Sequence, residues 1–335
     1  MAVAILADLP PPPPGRVGWP WAVESISHPS AIPNGGSWPK ITVVTPSYNQ
    51  GQFIEQTIRS VLLQGYPNLE YIIMDGGSHD NSCDIIRKYA PWITHWESQS
   101  DKGQADAINR GLGLATGSIF NWINSDDLLE PGALFHIAAA FEGSDAVAGA
   151  CMNFSGDSMD ALISSAMLTA VGLTSGSPNA VFHQPALWLR RDYVTDCGGI
   201  NPAFHYVFDW DLTIRYLYQH PKVRYVPHTL ARFRLHESSK TVALQSRFQT
   251  ERNLVLRHLA VFAPGNRLRR CAARRLRQFA WWDLLREITS DPRATTLSRA
   301  FKIVSNACSD PAIRWSRLTL GALKRSGYDS ADGAH

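Results

Sequence analysis

The sequence predicts an α/β fold with a mostly parallel central sheet, helices on its faces and a basic helical extension at the C-terminus. Three observations lead there. From Lys40 onward, short β-branched runs alternate with helical periods. The residues just after each predicted strand are polar, as at the ligand-binding edge of an open parallel sheet. Beyond Thr241 strand patterns give way to segments rich in Leu, Arg and Ala.

In chain order, the first strand is ITVVTP, Ile41 to Pro46, followed by a helix over Phe53 to Gln64 with Ile54, Ile58, Val61 and Leu62 on one face. LEYIIMD, Leu69 to Asp75, is the second strand, and Ile85, Ile86 and Tyr89 mark the next helix. ITHWES, a helix near Gln104 to Ala115 and SIFNWIN ending at Asn124 continue the alternation. The second half is less regular. VFHQPALWLRR reads as a strand entering a helix, Asp211 to Gln219 as helix, and Val223 to His236 as extended chain. Three segments follow: a Pro-rich arm over 1–39, an α/β domain over 40–240 and basic helices over 241–335. The arm, with Pro10 to Pro14, reads as polyproline II and solvated spacer. Its Trp19, Trp21 and Trp38 are expensive to leave in water, which folds part of it back.

The composition, 44% hydrophobic and 18% charged, excludes wholesale disorder and fibrous repeats. No apolar run approaches the roughly 20 residues of a membrane span, and MAVAILADLPPPPPG lacks the basic start and cleavage site of a secretory signal, so a cytoplasmic location is expected. Five scattered cysteines show no zinc spacing. A net charge of +3 does not indicate nucleic acid, but Arg267 to Arg277 packs six arginines into eleven residues.

The candidate residues cluster after strands. Asp126 and Asp127 offer carboxylate oxygens of the kind Mg²⁺ or Mn²⁺ takes alongside substrate phosphates; a turn or helix cap explains them equally well. Asp75 is the residue type that grips a ribose hydroxyl or base N–H, with Gly76 and Gly77 admitting close backbone approach, or else it begins a plain Gly-rich turn. Within Asp209-Trp210-Asp211 one aspartate is a helix cap or a general base, and His236 is a surface histidine or a metal ligand. Gly111-x-Gly113-x-x-x-Gly117 lies at a helix end and is no dinucleotide fingerprint.

Taken in order, VVTPSYNQGQFIEQTIRSVLLQGYPNLEYIIMDGGSHDNS, SDKGQADAINRGLGLATG, NWINSDD, FHQPALWLRR, FDWDLTIRYL and FRLHESSKT resemble glycosyltransferase family 2, whose catalytic domain has the GT-A fold. The resemblance covers roughly residues 40 to 240. It implies a nucleoside-diphosphate-sugar donor, a Mn²⁺ or Mg²⁺ cofactor and inverting transfer to an acceptor hydroxyl, in polysaccharide or glycolipid synthesis. Pro46, Tyr48, Asp75 and Gly77 would form the nucleotide pocket with Asp75 facing the base, and Asp101 and Lys102 would lie near the sugar nucleotide. Asp126 corresponds to the second acid of the DxD metal motif, His236 to a histidine completing the metal site, and Asp209 to the catalytic base. His183, Gln184, Trp210 and Asp211 would line the acceptor side. Gly76 and Asn124 stand where the family carries acids, and Phe208 where many relatives carry Glu. A protein that binds nucleotide sugars without catalysis, or a scaffold, is the alternative.

The tail carries a separate expectation. Leu268, Ala272, Leu276 and Phe279 share one helical face amid arginines, with Trp281 and Trp282 following, as in a helix lying on an anionic membrane. This would make the protein peripheral on the inner membrane face and suit a lipid-linked saccharide acceptor. Packing on the protein explains the same face.

Overall fold

The computed structural model describes residues 3–25, 36–156, 158–236, 245–291, 295–309, 319, 320 and 322. The chain divides into two compact units, Met1–Leu173 with Ser177–Glu251, and Thr174–Gly176 with Arg252–His335. The C-terminal part of the second starts at Arg252.

The first unit is built on a nine-stranded sheet. Its strands are β1 (Ile41–Ser47), β2 (Leu69–Asp75), β3 (His95–Ser98), β4 (Ile119–Trp122), β5 (Leu128–Leu129), β6 (Ala146–Ser155), β7 (Ser158–Ser164), β8 (Leu187–Arg190) and β9 (Val223–Arg234). They run in the order β3-β2-β1-β4-β8-β6-β9-β5, with β7 paired to β6. β3, β2, β1 and β4 are mutually parallel; β8 lies antiparallel to β4 and β6, and β9 runs parallel to β6. Helices α1 (Ile54–Leu62), α2 (Ser82–Tyr89) and α3 (Gln104–Leu114) alternate with β1 to β4, and α4 (Ala133–Ala140), α5 (Ala170–Ser175), α6 (Arg191–Asp196) and α7 (Phe208–Gln219) are interspersed among the later strands. All seven residues of β1 are buried, the signature of a strand covered on both faces.

This order places the C-terminal ends of β2, β1 and β4 side by side, Ser47 level with Asp75 and Val44 with Trp122. Two of the three glycines set aside above serve packing. A Cβ on Gly111 would stand 2.6 Å from Val44 of β1, and one on Gly117 would stand 2.7 Å from the Thr42 nitrogen and 2.8 Å from the Lys40 carbonyl, whereas Gly113 faces open space.

The arm is not simply a spacer. Ala4, Leu9, Trp21 and Trp38 are buried, and Trp19 Nε1 donates to the Leu129 carbonyl. Fully buried Arg59 of α1 donates to the carbonyls of Pro10, Pro20 and Trp21 and to Tyr89 Oη. A buried guanidinium needs such acceptors, and the arm supplies them.

Helix α8 (Gln245–Phe262) runs from the first unit into the second, which continues with α9 (Asn266–Ser290) and α10 (Thr296–Ser309). Of the two readings of this stripe, packing on the protein fits the burial of Leu268, Ala272, Phe279 and Trp281, with Leu276 half-buried. Trp281, Leu285 and Ile288 of α9 pack with Ile303 and Ala307 of α10. No described helix is long and apolar enough to cross a membrane.

Candidate active site

The loops after β1 and β2 are tied to each other. Asn49, in the left-handed region at φ 53°, accepts from the His79 N–H through its side chain, while the N–H groups of Asn49, Gln50 and Gly51 donate to Ser78, Ser82 and Asp80. Pro46 is buried at the strand end and Tyr48 stands 56% exposed beyond it. The buried Ser47 Oγ has no protein partner.

Asp75, expected to face a base, is tightly held at the end of β2. It is 1% exposed, and its carboxylate accepts from the N–H groups of Gly77 and Ser78, from Ser78 Oγ and Ser98 Oγ, and from Cys83 Sγ. Burial raises its pKa, but these donors outweigh burial and hold it below the ordinary carboxylate value. Gly77 and Ser78 belong to its own turn, where Gly77 takes φ 82°, while Ser98 ends β3 and Cys83 lies in α2. Asp75 therefore ties the turn after β2 to β3 and α2. The carboxylate standing over this turn is that of Asp101, whose Oδ2 would lie 2.9 Å from a Cβ on Gly76. A side chain at position 76 would require the Asp101 carboxylate, the end of a flexible side chain, to shift. Asp101 Oδ1 accepts from the Gly103 N–H, and Lys102 is exposed beside it.

After β4, the loop of Asn124 to Asp127 presents one accessible acid. Asp126 Oδ2 lies 2.9 Å from His236 Nε2, with the two side chains 23% and 16% exposed. Asp127 is buried: its carboxylate accepts from the Arg234 N–H and Asn124 Nδ2. Burial, then the neighbouring Asp126 charge, pushes its carboxyl well above the usual range. Asn124 also accepts from Gln104 of α3, so the family's first acid is here a neutral tie between loop and helix. One carboxylate and one imidazole fit a hard cation that completes its shell with substrate phosphate oxygens. Among the described residues no group of three or more His, Cys, Asp or Glu forms a ready cage. The segment Glu237 to Thr241, part of the last motif, lies outside the described residues.

Arg234 was missed by the sequence reading. It lies 4.7 Å from the Phe53 ring and 4.4 Å from the Phe154 ring, and donates to the Asp126 carbonyl and Gln56. Burial lowers its pKa while Asp126 and Asp127 raise it, so a cation stands behind the acidic loop. The available signal was its place two residues before His236, at the very end of β9.

Asp209 lies inside the first turn of α7, whose N-cap is Val207, rather than ahead of the helix. It is half-buried by surface area, yet burial of the carboxyl raises its pKa to about 6, opposed only by hydrogen bonds from backbone N–H groups, that of Trp210 among them. The neighbouring Phe208 ring lies 6.1 Å from Trp122 at the end of β4, which brings the start of α7 to the edge carrying the acidic loop. Asp211, expected on the acceptor side, pairs with Arg215, which holds the carbonyls of Cys197 and Gly199. Trp210 is half-buried. His183 packs against Phe233, and burial depresses its pKa, keeping the ring neutral at pH 7. Gln184 donates to Asn121 and to the Trp122 carbonyl, which ties it to β4.

Comparison with known proteins agrees with this arrangement. Residues 42–198 match the family described as Glycosyl transferase family 2; Asp209 and His236 lie beyond that match. A PGL/p-HBAD biosynthesis glycosyltransferase of Mycobacterium bovis (strain BCG / Pasteur 1173P2) is 29% identical over 190 residues, covering 53% of this chain and 69% of the relative. An uncharacterized glycosyltransferase of Nostoc sp. is 36% identical over 111 residues, 32% of this chain, which thus spans 34% of that relative's length. Among solved structures, S. aureus TarS 1-349 in complex with UDP-GlcNAc is similar at TM-score 0.57 and 14% identity, covering 88% of this chain and 92% of the other. The mannosyltransferase PcManGT from Pyrobaculum calidifontis, in complex with GDP-Man and Mn²⁺, has TM-score 0.50 and 16% identity, covering 88% of each chain. These likenesses establish the GT-A fold. With its strand ends, acidic loop and matched sequence taken together, residues 42–198 form a glycosyl transferase family 2 domain.

Proposed function

We propose that the protein transfers a sugar from a nucleoside-diphosphate sugar to an acceptor hydroxyl with inversion at the anomeric carbon. The observation that carries this reading is the buried Asp209 carboxyl, its pKa raised to about 6, at the sheet edge that also bears the Asp126–His236 pair. A carboxylate with a pKa near neutrality is a competent general base and takes the acceptor proton as the acceptor oxygen attacks. The nucleotide sits against the loops after β1 and β2, with Asp101 and Lys102 beside it. Asp126 and His236 hold Mn²⁺ or Mg²⁺. When bound, that ion supplies Lewis-acid neutralisation of the leaving diphosphate. Structures of the same fold with UDP-GlcNAc and with GDP-Man support a nucleotide-sugar donor. The relative named in PGL/p-HBAD biosynthesis supports a biosynthetic glycosyl transfer.

The test is a panel of nucleotide sugars with Mn²⁺, read first as thermal stabilisation and then as acceptor-dependent release of nucleoside diphosphate. Stabilisation without any release favours the catalytically inactive reading. Retention of configuration in the product excludes the single displacement.

A peripheral membrane contact rests on a different surface from the one expected. Leu297, Phe301 and Val304 of α10 are 83%, 74% and 47% exposed at helical spacing, and α9 with α10 carries nine basic against two acidic side chains. Flotation with phosphatidylglycerol vesicles should be lost in Leu297→Ser/Phe301→Ser; equal flotation of that variant rejects the contact.

A further inference from the structure

Helix α7 begins without a local cap: Val207 holds the N-cap position, and no side chain there bonds the first turn. A helix start leaves backbone donors that need acceptors. The acceptor for the segment leading into α7 comes from far along the chain. Glu251 of α8 receives the N–H of His205 at 2.9 Å, of Tyr206 at 2.8 Å and of Val207 at 3.2 Å. Arg247 and Phe248, on the same side of α8, hold the Tyr206 side chain, by a 3.1 Å bond to its hydroxyl and a ring contact at 5.2 Å.

Two features make this segment more than a connection. Asp209 follows Val207 by two residues, so the backbone fixed by Glu251 carries the proposed base. His205 Nδ1 would stand 3.7 Å from a Cβ on Gly103, beside the loop of Asp101 and Lys102. One carboxylate outside the family-matched residues thus braces a segment that abuts the donor loop and carries the base.

We infer that Glu251 is a positioning residue for Asp209. It fixes the 205–207 backbone so that the carboxylate meets the acceptor hydroxyl in line with the donor. This rests on the transfer reading above. Removing the carboxylate leaves three convergent N–H groups without their acceptor, and the segment relaxes. Misplacing a catalytic group by about 1 Å costs about 10²-fold in rate.

The experiment compares wild type, Glu251→Ala and Glu251→Gln in the full chain, by steady-state transfer and by amide hydrogen exchange at 205–207. Expected are a kcat about 10²-fold lower in Glu251→Ala, a smaller loss in Glu251→Gln, which keeps one acceptor oxygen, an unchanged donor KM, and faster exchange at the three amides. Glu251→Gln also serves if the alanine variant does not fold. Unchanged kcat in a folded variant overturns the inference, as does a loss confined to donor KM. Unchanged amide exchange overturns it even if wild type transfers no sugar, an outcome that by itself rejects the enzymatic reading and not the contact.

Discussion

Replacing Asp209 by Asn should do two opposite things, abolish transfer and stabilise the first unit at neutral pH. In the free protein the Asp209 carboxyl has a pKa raised from 3.8 to about 6, chiefly by burial. Below about pH 3.8 the carboxyl is protonated in both folded and unfolded chains and adds nothing to the pH dependence. Between about 3.8 and 6 the unfolded carboxyl ionises before the folded one, so stability falls as pH rises, by about 3 kcal/mol in full above pH 6. Asn keeps the oxygen that accepts the Trp210 N–H. Its buried NH₂ without a partner offsets about 1 kcal/mol, leaving a gain of about 2 kcal/mol, or roughly 4–8 °C in melting temperature for a unit of this size. The assay is thermal unfolding of wild type and Asp209→Asn at several pH values, paired with the pH profile of kcat/KM, which should fall to roughly a tenth of its plateau near pH 5. Equal or lower stability of the variant at about pH 7.5, or an acid limb near pH 4, would refute the argument from burial.

Two further outcomes follow from the geometry. Asp126→Ala removes the accessible carboxylate beside His236, so calorimetric titration with a nucleoside diphosphate should lose its Mn²⁺ dependence while metal-free binding persists; an unchanged Mn²⁺ dependence would assign the ion elsewhere. Gly117→Ala should destabilise the protein by more than about 1 kcal/mol, because its Cβ would press on backbone atoms of Lys40 and Thr42, whereas Gly113→Ala, in open space on α3, should stabilise it by about 0.5–1 kcal/mol. Denaturant midpoints of the pair check both signs.

The alternation from Ile41 to Trp122 was legible because a two-residue strand period and a 3.6-residue helix period are local properties, and hydrophobic side chains record them directly. The positions of Asp126 and Asp209 were legible for a related reason, since strand ends and helix starts carry the exposed polar groups of an open sheet. Their surroundings were not. Asp75 and Asp101 look alike as aspartates after strands, and only folding shows one walled in by Ser78, Ser98 and Cys83 and the other filling the space left at Gly76. Likewise Asp209 and Asp211, two residues apart on one helix, separate into a buried carboxyl with raised pKa and the partner of Arg215.

The sequence by itself determined the α/β class, the strand ends where chemistry gathers and the family, because those follow from periodicity and residue order. Tertiary structure alone decided which carboxylates stay accessible, that the arginine-rich helix buries its apolar stripe, and that Glu251 reaches the segment before α7. Burial and hydrogen-bond partnership are relations between residues distant in sequence, and they exist only once the chain has closed upon itself.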